Sequence, residues 1–225
     1  MEMAKKTPDA KSDVPQRTTI RRAPQQARGH QTIEAILEAT EQEIERTGLD
    51  HLTTKRIAEA ANLSVGGLYE YFPNKEAIVC AMVVRWMNRV MEAVERLHPE
   101  QSGKTDLFRY MDDSIEAVRK IYVDQPGIGA LIGMLNSMTS LQPIVLEHDV
   151  KIAKNMASAF CYLLPNLNMD RAIVTARTLA IVAHEILCLA VIRNPENANQ
   201  VNFHLRTILY AVLTQLVLEN STSAD

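Results

Sequence analysis

Between Leu52 and Lys75 the chain reads LTTKRIAEAANLSVGGLYEYFPNK, a stretch that few folds accommodate. The Thr53 hydroxyl is placed to accept from the first backbone N–H groups of a helix, which have no internal partner. Ile57, Ala58 and Ala61 then share one face at helical spacing. Asn62 follows, one of the few residue types besides glycine that accept the left-handed conformation ending a helix. Leu63 points back to the core, and Ser64 is placed to cap a second helix. On that helix Leu68 and Phe72, at i and i+4, face inward. Val65, Gly66, Gly67, Tyr69 and Tyr71 are left facing outward or sideways. Pro73 stops the helix, and Asn74 caps a long segment starting at Lys75. Each glycine inside a helix costs about 1 kcal/mol against Ala. A short helix that keeps two of them near its start is using bare backbone for close approach. Two short helices around a tight turn, with such a second helix, are the plan of a helix-turn-helix that reads DNA. Any small helical hairpin would satisfy the same caps.

The segment Thr54–Lys75, preceded by an amphipathic helix, resembles the DNA-binding domain of TetR-family transcriptional regulators. The residues that carry the resemblance are T-T-K-R-I-A-E-A-A-N-L-S-V-G-G-L-Y-E-Y-F-P-N-K-E-A, and the run Leu-Tyr-x-Tyr-Phe-x-x-Lys is its most specific part. The resemblance covers about a fifth of the chain. It implies an all-α fold with an N-terminal three-helix helix-turn-helix DNA-binding domain, followed by a larger helical ligand-binding and dimerisation domain. The expected divisions are a basic arm over 1–30, the DNA-binding domain over 31–76 and the effector-binding and dimerisation domain over 77–225.

Site roles follow from position. The N-terminal turn of the second helix is expected in the major groove, with Val65 and Gly66 at base edges and Val65 against a thymine methyl. Tyr69 and Lys75 match positions that touch phosphate in the family. Thr54 and Lys55 match the start of the preceding helix, where backbone contacts occur. Tyr71 either reaches the sugar-phosphate edge or packs against the first helix. Gly67 departs from the hydroxyl residue often found there, which shifts readout toward the arm and DNA shape.

The net charge of −3 conceals an asymmetry. Residues 1–30 hold seven basic and three acidic side chains, a net +4, whereas residues 31–76 hold four basic and nine acidic ones, a net −5. An acidic reading unit is unfavourable beside phosphates. Two features soften this. Glu34, Glu38, Glu41 and Glu45 fall on one helical stripe, expected to face solvent away from DNA. The polar, proline-containing arm reads as disordered by composition. It is either an inert solvated tail or a tether along phosphates or the minor groove through Arg17, Arg21, Arg22 and Arg28.

Beyond Lys75 the pattern is helix after helix, over about Lys75–Leu97, Thr105–Asp124, Gly127–Ser140, Pro143–Leu164, Asn168–Arg193 and Ala198–Glu219, with Gln101–Lys104 as a loop. A hydrophobic share of 47% with only 5% aromatic residues favours helices over sheets. Three scattered cysteines argue for a reducing cytosol rather than a disulfide framework. The first residues lack an apolar signal core, and the apolar run Leu179–Ile192 is interrupted by His184 and Glu185, too short to span a bilayer. The expectation is a cytoplasmic protein without membrane contact.

In the last two helices Ala176, Ala180, Ala183 and Leu187, and Leu209, Val212, Leu213 and Leu216, form small-residue and apolar faces. Burial within one chain explains them. The resemblance implies instead a four-helix interface in a homodimer, which suits two linked heads on a palindromic double-stranded operator. His184 and Glu185, polar residues in an apolar helix, read as interface hydrogen-bonders or ligand contacts, with a satisfied interface pair favoured. The resemblance also implies a small-molecule effector, for which Met82, Trp86, Tyr110, Met111, Met134, Met138 and Phe160 are candidate pocket residues, each with the alternative of plain core. No catalytic motif, phosphate-cradling loop or metal spacing is present, so neither an enzyme nor a resident cofactor or metal is expected. The sequence points to a ligand-responsive DNA-binding regulator, more naturally a repressor than an activator. Two alternatives are an architectural DNA binder without an effector, and a ligand-binding or adaptor protein whose helix-turn-helix no longer reads sequence.

Overall fold

The computed structural model describes residues 27–222, and among them every regular element is helical. Of the expected arm over 1–30, the part with Arg17, Arg21 and Arg22 lies outside the described residues, and its last four residues, Arg28 among them, are the first turn of α1. Helix α1 (Ala27–Thr47) buries Ile33, Ile36, Leu37 and Ile44 and stops at Gly48, whose φ is +79°. After one 3-10 turn come α2 (Thr54–Ala60) and α3 (Val65–Tyr71). The local caps form as the side chains dictate. Thr53 Oγ1 accepts from Arg56 N at 3.3 Å, Ser64 Oγ from Gly67 N at 3.0 Å and Asn74 Oδ1 from Ala77 N at 2.8 Å. Asn62 makes the turn at φ +54°. Ile57, Ala58, Leu68 and Phe72 are fully buried, locking α2 and α3 against α1 as one head.

The long helix α4 (Lys75–Leu97) runs from the head into the larger half and packs on α1, α6 and α8. Pro99–Ser102 forms a short helical turn, α5, and only Gly103 onward is loop, so the expected loop starts two residues late. Asp106, not Thr105, caps α6 (Leu107–Asp124), accepting from Arg109 N. A carboxylate next in line is the better cap. The expected Gly127–Ser140 helix is α7 (Ile128–Ser137) followed by a 3-10 turn. It leads to α8 (Gln142–Leu163), α9 (Met169–Cys188) and α10 (Ala198–Thr222). The last residues of the predicted Asn168–Arg193 helix, Leu189–Arg193, widen into a π turn.

Helices α8 and α9 make the most extensive pairing, because Ala153, Ala157, Ala172 and Ala176 are all buried and let the backbones approach. This corrects the predicted dimer face. Ala176, Leu187, Leu209, Leu213 and Leu216 are buried within their own subunit, and Ala180, Ala183 and Val212 pack half-buried against the same core. The outward rows are other residues, among them Val174, Ile181, Phe203, Ile208 and Leu218, all exposed. The bilayer argument is corrected too. Met169–Arg193 and Pro195–Ser221, with mean hydropathy 1.7 and 1.3, are long and apolar enough by length and composition to cross a membrane. The helices extend well beyond the run Leu179–Ile192, and their apolarity serves the subunit core on one side and an open face on the other.

Candidate nucleic-acid interface

Helix α3 turns Leu68 inward, and that one orientation fixes the rest. Val65 and Tyr69 are each 38% exposed, Gly66 is exposed and Gly67 half-buried. Tyr69 Oη lies 3.2 Å from Thr54 Oγ1, so the tyrosine of α3 and the first residue of α2 present one hydroxyl pair. Lys55 stands exposed beside them, 3.9 Å from Glu59. Lys75 is drawn inward: its Nζ donates to Leu52 O at 3.3 Å, tying the start of α4 to the turn before α2. Tyr71 is half-buried and packs on the core. Arg28 is exposed near the start of α1, and Arg22 lies outside the described residues. Thus Thr54, Lys55, Val65, Gly66 and Tyr69 come together on one surface, with Lys75 and Tyr71 beneath its edge.

Of the acidic stripe of α1, Glu34, Glu38 and Glu45 are exposed as expected, and Glu41 alone is buried. Arg85 of α4 reaches Glu34 Oε2 at 2.7 Å and Glu41 Oε1 at 2.6 Å, and Glu41 is buried. Gln125, buried at the end of α6, donates through Nε2 to Glu41 at 2.8 Å and accepts at Oε1 from Arg89 at 3.1 Å. Glu45 Oε2 accepts from the amide of Gly127. Only Glu38 of the four stays exposed without such a tie in this network. Burial disfavours the Arg85 charge, but its hydrogen bonds to Glu41 and Glu34 more than offset this and hold its pKa above the usual arginine value. On the flank, Glu43 is clasped by Arg46 and Arg56, with its pKa lowered chiefly by the hydrogen bond from Arg46. Glu34, Glu41 and Glu43 are thus paired with cations and Glu45 is tied to the α6–α7 turn, while Glu38, Asp50 and Glu70 stay exposed. Sequence reasoning missed Arg85 and Gln125; the one signal was a lone arginine inside an apolar stretch of α4.

In the larger half, Met82, Trp86, Tyr110, Met111, Met134 and Phe160 are buried and Met138 is half-buried, all in one continuous core. Trp86 Nε1 has no hydrogen-bond partner among the described residues. Burial pushes the Tyr110 phenol up to about 12, partly offset by Ser114. The ring of Trp86 meets Tyr122 edge-on at 5.1 Å, and Tyr122 Oη lies 2.5 Å from His184 Nδ1. His184 therefore bonds within its own subunit, while Glu185 is exposed. Burial lowers the His184 pKa and lowers that of nearby His148 to about 4, so both rings are neutral at pH 7.

Comparison with known proteins agrees with this geometry. Residues 36–82 match the family model described as bacterial regulatory proteins, tetR family. No curated protein matches the chain in sequence. Solved structures do. A TetR-family transcriptional regulator from Streptomyces coelicolor is 18% identical, covering 82% of this chain and 99% of its own, with a TM-score of 0.61. SmeT, the repressor of the Stenotrophomonas maltophilia multidrug efflux pump SmeDEF, is 19% identical over 81% of this chain and 89% of its own, with a TM-score of 0.63. A protein from Mesorhizobium loti described as a TetR-family transcriptional regulator is 16% identical over 84% of this chain and 98% of its own, with a TM-score of 0.68.

Proposed function

We propose that this TetR-family chain is a homodimeric, sequence-specific repressor that leaves a palindromic operator when a small apolar or amphipathic molecule enters its larger half. The reading rests on one observation above others: α3 buries Leu68 and leaves Val65, bare Gly66 and Tyr69 exposed together. The open rows on α9 and α10 suit a second copy, which would place two heads on half-sites about 34 Å apart. The arm, with Arg22, and Arg28 at the start of α1 supply positive charge that the rest of the head lacks. Thr54, Lys55 and Tyr69 hold phosphates, Lys75 ties the start of α4 to the turn before α2, Tyr71 buttresses the head, and Gly67 keeps α3 close to the duplex. The effector enters around Trp86, whose unpaired indole N–H and edge contact with Tyr122 suit a ligand with a hydrogen-bond acceptor. Met134 and the half-buried Met138, in the same core, are adaptable walls.

A gel shift on DNA flanking the protein's own gene, repeated with metabolites and drugs, tests the reading. Specific retardation that one compound releases is expected. Retardation by any DNA alike would favour an architectural role, and none at low salt would favour an adaptor.

Two substitutions separate reading from folding. A Cβ on Gly66 meets only Ser64 Oγ, at 3.9 Å. Gly66→Ala should therefore raise stability by about 0.5–1 kcal/mol. The same methyl should weaken operator binding about tenfold or more by holding the backbone off the bases. Thermal unfolding and gel shifts on one sample read both effects; unchanged DNA affinity would mean α3 does not approach by its backbone. Tyr69→Ala should weaken binding to operator and unrelated DNA alike by roughly tenfold, since phosphate contacts carry no sequence information. A loss confined to the operator would contradict the phosphate role.

A further inference from the structure

A cleft of about 390 Å³ opens where the head meets the larger half, within the range of small-molecule sites. Glu45 of α1 stands on one side, Val123 and Gln125 of α6 and Ile128 of α7 on another, and Val191 of the π turn and Asn202 of α10 complete it. A second hollow of about 400 Å³ continues from it along α6 and α10, sharing Arg119 and Asn202. Asn202 Oδ1 is shut off from solvent and has no hydrogen-bond partner among the described residues. A buried acceptor without a donor is costly, and a bound donor removes the cost. Glu45 is exposed and holds only the Gly127 amide among its recorded hydrogen bonds. The cation beside the cleft, Arg119, is already held by Glu116 through bonds of 2.8 and 2.6 Å. The unmet demand is thus for a donor, preferably a positive one, on a molecule with an apolar body. A π turn forms one wall, a distortion that recurs at functional sites.

We propose that this cleft binds amphipathic amines, with the ammonium at Glu45, the Asn202 side chain turning its unpaired Oδ1 toward it, and the apolar body against Val123, Ile128 and Val191. The site is separate from the buried region around Trp86. Its regulatory meaning rests on the repressor reading above. Glu45 joins α1 to the α6–α7 turn through the Gly127 amide, beside the Gln125–Glu41 bond of 2.8 Å. An amine that competes for Glu45 therefore favours one position of the head over another, which is the differential affinity an effector needs.

The probe is phenethylamine, compared with 3-phenylpropionate, on the full chain by saturation-transfer NMR and calorimetry. Saturable binding of the amine and not the carboxylate is expected. Glu45→Gln keeps an acceptor for Gly127 but loses the charge, and Val123→Phe fills the cleft from an exposed position. Each should weaken amine binding by about tenfold or more. The amine should also shift operator affinity in the unaltered chain and not in Glu45→Gln. Absence of saturable amine binding, equal binding of the carboxylate, or binding indifferent to both substitutions would overturn the site. Amine binding that obeys both substitutions in a chain with no affinity for DNA would sink the repressor reading alone and leave the site standing.

Discussion

Gly127→Ala is expected to destabilise the protein by about 2–4 kcal/mol, the sum of a conformational and a steric penalty. Gly127 sits at φ +66°, where an L side chain is strained whatever the space around it. A Cβ there would also lie 2.7 Å from Cγ2 of Ile44 and 3.4 Å from its Cβ, on a buried residue of α1 that cannot swing away. Gly103 is the internal control. It has nearly the same conformation, φ +68°, with nothing within 4 Å of an added methyl, so Gly103→Ala should cost only about 1–2 kcal/mol. Denaturant unfolding of the two variants reads the difference, which belongs to the pressure of the α6–α7 turn on α1. Equal losses would show that the turn does not bear on the head.

Arg85→Met is the second large effect, an expected loss of about 3 kcal/mol. Arg85 is the cation for Glu41, which is 7% exposed and would remain buried with only the Gln125 amide as partner. Most of the loss comes from the stranded carboxylate rather than from the attraction itself. The double variant Arg85→Met, Glu41→Leu should therefore recover much of the stability, since it removes both charges and keeps the volume. Chemical denaturation of the two singles and the double closes the cycle. A double variant no better than Arg85→Met would mean that the Arg85 stem, not the charge of Glu41, carries the effect.

The head was legible because its instructions are local. Thr53, Ser64, Asn62 and Asn74 act on backbone within a few residues of themselves, and the inward pair Leu68 and Phe72 leaves one outward side. The helices of the larger half were legible for the same reason, through Asn168 and Pro143 at their starts. What stayed hidden was every contact between distant segments. Arg85 finds acids on α1, and Tyr122 finds His184 across 62 residues; no periodicity announces such a pair. Helices α9 and α10 misled for a different reason. Both their sides are apolar, so spacing alone does not say which side turns to the subunit's own core. The small residues decide it by volume: Ala176 and Ala172 let α8 close in, and bulkier Val174 and Ile181 are left outside.

The ties of Glu34 and Glu41 to Arg85 and of Glu45 to the α6–α7 turn have a bearing on domain transplantation. A reading head excised from this chain and joined to a foreign effector half would arrive with its struts unattached. Three carboxylates would be released from Arg85 and Gly127 into the field of the duplex. Such a chimera would bind its operator more weakly and with a stronger dependence on counterions than the intact protein, although every residue touching DNA is the same. Grafting Arg85 and the Gln125–Gly127 turn along with the head would restore the balance.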